Sequence, residues 1–162
     1  MALVRIVSGG QTGVDRGALD AALDAGFPCG GWCPVGRKAE DGQIPDRYPV
    51  VELSGAGYAQ RTRRNVEDSD GTLILYFGKI VGGTRKTVQL CNHLNKPALL
   101  MDAAVMLPSE AASQAINFIQ RQHIETLNVA GPRGSGTPEA HAYSQDTVAG
   151  ILRYCDGADS SN

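Results

Sequence analysis

Three glycine-rich segments each follow a short apolar run and precede a stretch with helical periodicity. The apolar runs 3–7, 72–77 and 126–130 are followed by the segments SGGQTGVD, GKIVGGT and GPRGSGT. Glycine at such a junction permits positive φ and lets other groups approach the backbone closely. Short apolar runs that alternate with longer helical patterns are typical of βαβ units, in which the strands are parallel. The sequence therefore predicts an α/β fold with a mostly parallel central sheet.

The rest of the chain supplies the remaining elements of such a fold. Apolar spacing predicts two further strands, at 50–53 and 98–101. It also predicts helices at 15–25, 58–69, 82–95, 109–122 and 138–154. Residues 28–49 are rich in glycine, proline and charge, so we predict mainly a long loop there, of the kind that serves a site. Because we find no internal repeat and no second-domain boundary, we predict one domain over residues 1–155 and a frayed tail over 156–162.

Composition and charge exclude several classes of protein. The 162 residues are 42% hydrophobic and 20% charged, which is ordinary globular usage and excludes wholesale disorder. The formal net charge of −2 disfavours a dedicated nucleic-acid binder, since such proteins carry a positive excess. No apolar run is long enough to cross a bilayer and no secretory signal precedes the first strand, so we predict a cytoplasmic protein without a membrane partner. The cysteines and histidines lack metal-ligand spacing, so we predict no protein-ligated metal.

The glycine-rich segments also predict a ligand site. In open parallel sheets, ligands bind beyond the carboxyl ends of the strands, where strand order reverses, and the helix amino ends there favour anions. Basic residues lie in or beside the expected rim: Arg16, Arg37, Lys38, Lys79, Arg85, Lys86 and Arg133. We therefore predict a site for a phosphate or a similar oxyanion. A Cβ at Gly10 or Gly83 is expected to block the ligand and to spare the fold in part.

Charged residues near these segments receive a structural interpretation. Asp15 and Glu40 fit a carboxylate near a helix start and a loop salt bridge better than an acid–base pair. The basic run of Arg61, Arg63 and Arg64 in a polar helix indicates a solvated face or a subunit contact. The patterns Gly-x-Gly-x-x-Gly, Gly-x-x-x-x-Gly-Lys-Ser/Thr and Gly-x-Ser-x-Gly are absent from the sequence, which disfavours a standard dinucleotide site, a P-loop ATPase and a serine hydrolase.

Longer motifs carry a resemblance to a known family. The stretches SGGQTGVDRGALDAA, GWCPVGRKAEDGQIPDRYPVVE, TRRNVEDSDGTLIL and GGTRKTVQLC together resemble the molybdenum carrier family, over most of residues 3–135. That family consists of small Rossmann-like proteins in the superfamily of the LOG nucleoside-phosphate hydrolases and the DprA proteins. The resemblance implies a Rossmann-like three-layer sandwich that forms a homo-oligomer, a dimer or a tetramer. It also implies a carrier that binds, stores and protects molybdenum cofactor without turnover.

The same resemblance implies which residues hold this ligand. Carried over position by position, they are Gly9, Gly10, Gln11, Thr12, Gly13 and Arg16 of the first segment, Gly82, Gly83 and Thr84 of the second, and Arg133, Ser135, Cys33, Arg37 and Lys38 elsewhere. The cofactor has a phosphate monoester, a planar pterin and a molybdenum oxo group, which N–H donors and arginines suit. For the Cys33 thiol we weigh contact with molybdenum against packing as a small apolar side chain, and favour packing. Molybdate, phosphate or a nucleotide stay open as ligands.

Two relatives in that superfamily imply alternative functions. LOG hydrolases carry Pro-Gly-Gly-x-Gly-Thr-x-x-Glu, whereas this chain reads VGGTRKT at 81–87, with Thr87 where the catalytic glutamate is expected. We therefore predict no enzymatic activity. A nucleoside-monophosphate N-glycosidase, or another nucleotide-binding protein, stays as the alternative. A DprA-like binder of single-stranded DNA needs a basic groove with stacking aromatic residues, and 6% aromatic residues in an acidic chain disfavour it.

Overall fold

Strands and helices alternate along residues 3–160, the part of the chain that this computed structural model describes. In chain order the elements are β1 (Arg5–Val7), α1 (Val14–Asp24), β2 (Cys29–Cys33), β3 (Lys38–Ala39), β4 (Gly42–Gln43), β5 (Val50–Glu52), α2 (Tyr58–Glu67), β6 (Gly71–Tyr76), α3 (Gly82–His93), β7 (Ala98–Asp102), α4 (Pro108–Gln122), β8 (Thr126–Ala130) and α5 (Ala140–Asp159). A 3₁₀ turn at Val35–Arg37 precedes β3.

Six strands form one parallel sheet in the order β5-β2-β1-β8-β6-β7, while β3 and β4 form a separate antiparallel hairpin. Val7 of β1 lies beside Asn128 of β8, and Leu73 of β6 lies beside Val129 of β8. The three strands that precede the glycine-rich segments are therefore adjacent. Because these strands are parallel, their carboxyl ends share one edge of the sheet. The chain leaves β1 toward β2 and leaves β6 toward β7, in opposite directions, so strand order reverses here.

The buried faces of the sheet account for two layers of helices. In β6, Leu73 and Leu75 pack into a core shared with α1, α4 and α5, and the intervening Ile74 packs against Val66 of α2 and Cys91 of α3. Successive side chains of a strand point to opposite faces, so an uninterrupted apolar strand needs a cover on both sides. The predicted α/β fold, a Rossmann-like three-layer sandwich with a parallel central sheet, is confirmed.

The prediction of a long loop over residues 28–49 was wrong in its first part. Cys29–Cys33 form strand β2, which lies between β1 and β5 in the sheet. Its sequence, CGGWC, has no apolar alternation, so the local pattern carries no strand signal. The strand forms because both neighbours pair with it. The Ser8 N–H donates to the Gly30 carbonyl at 2.9 Å, and the Leu53 N–H donates to the Cys33 carbonyl at 2.9 Å.

The last helix is longer than the sequence predicts. Helix α5 ends at Asp159, so residues 156–159 of the predicted frayed tail are helical, while residues 161 and 162 lie outside the described residues. Cys155 is buried in the same core as Ile151 and Leu152. The buried face of α5 therefore continues past the predicted end at residue 154, and this packing holds its last turns in helical form.

Gly13 joins the first and third glycine-rich segments, and its substitution tests the fold. Its φ is +84°, and an added Cβ would lie 2.4 Å from the Pro132 carbonyl oxygen. We expect Gly13→Ala to lower the free energy of unfolding by about 3 kcal/mol, which corresponds to ~10 °C in Tm in a thermal unfolding experiment. Gly136→Ala is the control, since nothing lies within 4 Å of its added Cβ. Equal Tm values for the two variants would contradict this packing.

Candidate functional site

A cavity of about 670 Å³ lies where the carboxyl ends of β1, β8 and β6 meet, and we call it the central cavity. Residues from all three glycine-rich segments and from one face of α2 line it, among them Gly9, Gln11, Gly83, Thr84, Gly131, Arg133, Ser135, Tyr58, Arg61 and Asn65. This volume is in the usual range for small-molecule pockets. The three segments therefore converge on a single hollow, as expected from their positions in the sequence.

Helix α3 begins at the wall of the central cavity, where Val81, Gly83 and Thr84 line it. The first N–H groups of a helix have no acceptor within the helix, and the helix dipole adds partial positive charge there. Among residues 3–160, no side chain forms a capping hydrogen bond at this end, and the first turn of α3 holds no acidic residue. The start of α3 is therefore suited to hold an anion.

Three basic side chains line the central cavity: Arg61 from α2, Lys86 from α3 and Arg133 from the third segment. Both arginines lie near the Tyr58 ring, with the guanidinium carbon of Arg133 4.7 Å and that of Arg61 6.0 Å from the ring centroid. A cation at such a distance is attracted by the negative face of the ring. Tyr58 thus helps to hold two positive charges at the cavity wall.

Helix α2 has two faces with different roles. Arg63 and Arg64 lie on its exposed face, and each pairs with an acidic residue four positions later, at 2.7 and 3.0 Å. For these two, the interpretation as a solvated face is confirmed. Arg61 points inward with its side chain only 12% exposed, so for this residue the interpretation was wrong. Arg61 shares its face with Tyr58 and Asn65 at spacings of three and four residues, and this periodicity was the available signal.

A buried carboxylate, that of Asp15, lies beside Arg61 at the cavity. Arg61 Nη1 is 3.4 Å from Asp15 Oδ2, and the Gln11 N–H donates to the same oxygen at 3.2 Å. The guanidinium rests on Gly9, where an added Cβ would lie 1.5 Å from Arg61 Nη1. Burial raises the pKa of the Asp15 carboxyl, and the charge of Arg61 and the Gln11 N–H oppose this rise. The negative charge of Asp15 therefore depends on Arg61.

Part of the residue set that the resemblance implies lines the central cavity: Gly9, Gln11, Gly83, Thr84, Arg133 and Ser135. Gly82 is the first residue of α3, between two residues that line the cavity. An added Cβ at Gly83 would meet nothing within 4 Å, so this position tolerates a side chain that enters the cavity. The role of these residues in holding a ligand stays a prediction.

Two predicted ligand residues of the first segment face away from the cavity. Arg16 donates through Nη1 and Nη2 to Asp41, at 2.6 and 2.9 Å, and through Nε to the Gly10 carbonyl at 2.9 Å. Arg16 is buried, fastens the β3–β4 hairpin and does not line the central cavity. Gly10 has a φ of +77°, and an added Cβ would lie 3.1 Å from Ile44 Cδ1. We therefore expect Gly10→Val to disturb the fold, which corrects the expectation that the fold would stay partly intact.

The predicted ligand residues of segment 28–49 belong to the frame around the cavity. Cys33 is fully buried in an apolar cluster, and burial raises the pKa of its thiol, which favours packing over contact with molybdenum. Lys38 does not line the central cavity, and its carbonyl accepts the Gln11 side-chain amide at 2.9 Å. The Arg37 side chain donates to four backbone carbonyls, those of Ile44, Pro45, Tyr48 and Val50.

Glu40 bridges the first and third segments. Thr12 Oγ1 donates to one carboxylate oxygen, and Ser135 Oγ donates to the other at 2.6 Å. These hydrogen bonds, that from Ser135 first, lower the pKa of the Glu40 carboxyl. Thr12 and Gly13 do not line the central cavity, and both serve contact with the third segment. Glu40 was interpreted as a loop salt bridge; its hydrogen bonds instead come from hydroxyl and amide groups.

A second hollow of about 380 Å³ adjoins the central cavity at the start of α3. Val81 and Thr84 line both hollows, whereas Phe77 and Lys79 line the second and not the first. The start of α3 therefore lies between a hollow rich in basic groups and a smaller one with an aromatic wall. A ligand longer than the central cavity has room to extend past this helix end.

Several lining residues carry no prediction from the sequence, among them Asn65, Asn128 and Thr137. Asn128 had a signal, since it is a polar amide inside the otherwise apolar strand β8. Asn65 is buried and attaches α2 to β2. It accepts the Trp32 N–H at 2.8 Å and donates to the Trp32 carbonyl at 2.9 Å. This pairing holds the inward face of α2 against the cavity, and nothing in the local sequence indicates it.

Two features were sought among the described residues: a metal site and a membrane-spanning helix. Between residues 3 and 160, no group of three or more His, Cys, Asp or Glu side chains is arranged to hold a metal ion. Over the same range, none of the helices combines the length and the apolar character needed to cross a membrane.

Comparison with known proteins points to one family. Residues 6–152 match the model of the circularly permutated YpsA SLOG family. A crystal structure at 1.45 Å resolution, that of a "putative molybdenum carrier protein" from Syntrophus aciditrophicus SB, is similar to this chain, with a TM-score of 0.90 and 40% sequence identity. The similarity covers 93% of this chain and 96% of that one. No curated protein is significantly similar in sequence.

The Asp15–Arg61 pair predicts a pH-dependent stability. Removing one partner of a buried ion pair costs about 3 kcal/mol, so we expect Arg61→Met to lower the free energy of unfolding by that order at pH 7. Without Arg61 the pKa of Asp15 rises further above its ordinary 3.8. The contribution of Asp15 to the stability of the variant is then most favourable at acid pH, where the carboxyl is neutral, and it is lost as pH rises through the pKa of the folded state.

Urea unfolding across pH measures this effect. Arg61→Met is compared at each pH with the double variant Arg61→Met/Asp15→Asn, in which no carboxylate is left uncompensated. The gap between the two should widen as pH rises. Arg63→Met, on the exposed face of the same helix, should behave as wild type. A gap that stays constant with pH would show that the Asp15 carboxylate is not destabilising in the absence of Arg61.

Proposed function

Because this chain belongs to the circularly permutated YpsA SLOG family, we propose that it is a molybdenum-cofactor carrier within that family. It binds, stores and protects the cofactor in the central cavity without converting it. The 40% identity with a protein named as a molybdenum carrier supports this class of cargo. One observation carries the proposal: the start of α3 and three basic side chains surround a single cavity of about 670 Å³.

The charge of the cavity suits the phosphate end of the cofactor. A phosphate monoester carries up to two negative charges and three acceptor oxygens. The start of α3 offers backbone N–H donors, and Lys86 and Arg133, which line the same cavity, add positive charge. Hydrogen bonds in which both partners are ionised are roughly twice as strong as neutral ones. We therefore assign the phosphate to the start of α3.

The planar pterin is assigned to the wall formed by α2. Tyr58 offers an aromatic face, and the guanidinium groups of Arg61 and Arg133 lie near the same ring. Flat heterocycles stack on aromatic rings and on guanidinium planes. A carrier only has to bind its cargo and changes no covalent bond. Charge and stacking are sufficient for this task, because both lower the free energy of the bound state.

The absence of turnover is part of the proposal. Thr87 lines the central cavity where the resemblance to LOG hydrolases places a catalytic glutamate. Its hydroxyl donates to the Gly83 carbonyl at 3.0 Å, so it is bonded to the backbone of the first turn of α3. Asp15 is the acidic residue among those lining the cavity, and it is committed to Arg61. An N-glycosidase would need an acid in reach of the glycosidic bond, and Asp15 is the candidate that an activity assay would test.

Two further features complete the proposal. We place the carrier in the cytoplasm, as the sequence predicts, and on the family resemblance we propose that it forms a homo-oligomer. Sedimentation or light scattering of the purified protein tests the second point. A monomer at micromolar concentration would remove the oligomer from the proposal and leave the cavity argument unchanged.

Retention of released cofactor tests the proposed function. The purified protein, mixed with cofactor released from a molybdoenzyme, should retain it through gel filtration and slow its oxidation in air. Loss of one charged hydrogen bond costs about 1.5–3 kcal/mol, so Lys86→Ala and Arg133→Ala should each weaken binding about tenfold or more. Arg85→Ala is the matched control, because Arg85 neighbours Lys86 and does not line the cavity. Failure to retain or protect the cofactor would refute the carrier proposal.

A nucleotide panel tests the proposed absence of catalysis. Incubation of the protein with nucleoside monophosphates, followed by chromatography of the products, should yield no free base. Release of base by wild type that is lost in Asp15→Asn would overturn the non-catalytic assignment in favour of an N-glycosidase. Arg85→Ala again serves as control and should match wild type in either case.

A further inference from the structure

A carboxylate of the protein itself holds the hydrogen-bond donors where the first and third segments meet. Thr12 Oγ1 and Ser135 Oγ donate to the two oxygens of Glu40, and the Ser135 N–H donates to Glu40 Oε1 at 3.3 Å. Arg133 adds positive charge nearby, and together these groups lower the pKa of the Glu40 carboxyl. The Glu40 carboxylate is therefore an anion that already accepts hydrogen bonds from these donors.

The donors are held in place by contacts that do not involve Glu40. The Gly134 N–H donates to Thr12 Oγ1 at 3.1 Å, which leaves the hydroxyl proton free to point toward the carboxylate. The Val14 N–H donates to the Pro132 carbonyl at 3.2 Å and links the two segments again. If Glu40 moved away, these contacts would keep the two segments together, and the Thr12 and Ser135 hydroxyls and the Ser135 N–H would be free to donate to an oxyanion of similar size.

Glu40 can leave without moving the backbone that carries it. Its residue is exposed, so water can hydrate the carboxylate after release. The hairpin on both sides of it is fixed, since Asp41 forms two hydrogen bonds with Arg16 and the Lys38 carbonyl accepts the Gln11 amide. Rotation about the side-chain bonds of Glu40 is therefore sufficient, and rotations of exposed side chains are fast.

We propose that Thr12 and Ser135 form an oxyanion subsite at the edge of the central cavity, which Glu40 fills in the empty protein and a ligand oxyanion takes over on binding. Ser135 also lines the central cavity, so the subsite is continuous with it. The ligand then has two anionic groups, one at the start of α3 and one here. A phosphate ester or a metal oxo group has the required chemistry. The inference rests on the proposed function, because it assumes cargo in the same cavity.

The subsite makes Glu40 a competitor of the ligand, which determines the test. Molybdate is the probe, and its binding is measured by isothermal titration calorimetry. Glu40→Ala should bind molybdate at least tenfold more tightly than wild type, because the donors become free and a negative charge is removed. Glu40→Gln, which keeps a hydrogen-bond acceptor and the side-chain volume, should show a smaller gain. Glu40→Gln also replaces Glu40→Ala in this test if the alanine variant does not fold.

Two controls separate the subsite from a general charge effect. Glu52→Ala removes another exposed carboxylate that accepts a backbone N–H, that of Gly36, and should bind molybdate as wild type does. Adding Ser135→Ala to Glu40→Ala should abolish the gain. The inference is overturned if folded Glu40→Ala or Glu40→Gln binds molybdate no more tightly than wild type, or if the gain survives Ser135→Ala.

Cofactor retention by wild type, measured in parallel, keeps the two proposals distinguishable. A gain in Glu40→Ala with no cofactor retention by wild type would support the subsite and refute the cargo. Retention of cofactor with no gain in either Glu40 variant would leave the carrier proposal intact and overturn the subsite.

Discussion

Strand β8 pairs in parallel with both β1 and β6, and this pairing organises the whole molecule. It brings three strands that are distant in sequence into adjacent positions with their carboxyl ends at one edge. Each strand is followed by a glycine-rich connection, so the three connections must share the space beyond that edge. The central cavity, the start of α3 and the contact between Gly13 and Pro132 all follow from this arrangement.

Arginines divide between building the frame and lining the cavity. Arg16 donates to Asp41, and Arg37 donates to backbone carbonyls. Charged hydrogen bonds therefore hold the hairpin and the segment before β5. Arg61 and Arg133 stay at the cavity, the first weakly paired with Asp15 and the second over Tyr58. Distance along the chain does not separate the two groups, since Arg16 directly follows the first glycine-rich segment and faces the frame, whereas Arg61 lies far from all three segments and faces the cavity. Only side-chain direction separates the two groups.

The fold was largely predictable from the sequence, and the site was predictable in part. The strands at 72–77 and 126–130 carry continuous apolar runs, and the helices carry clear periodicity, so local pattern sufficed for them. Strand β2 has a glycine-rich sequence and forms only because β1 and β5 pair with it. In the site, the loop residues Gly83 and Arg133 follow from chain position, whereas Arg61 comes from α2, which is attached to β2 through Asn65. Contacts between residues so far apart in the chain produce no recognisable pattern in the local sequence.

The α/β class, the three glycine-rich connections and the expected preference for anions can be read from the sequence alone, because apolar periodicity and glycine position are local properties. The motifs at 8–22 and 31–52 determined the family resemblance in the same way. Which charged groups remain available to a ligand depends on the three-dimensional fold. It paired Arg16 with Asp41, turned Arg61 inward and placed Glu40 on Thr12 and Ser135. The physical reason is that charge pairing depends on separation in space, and strand order brings together residues that no spacing along the chain connects.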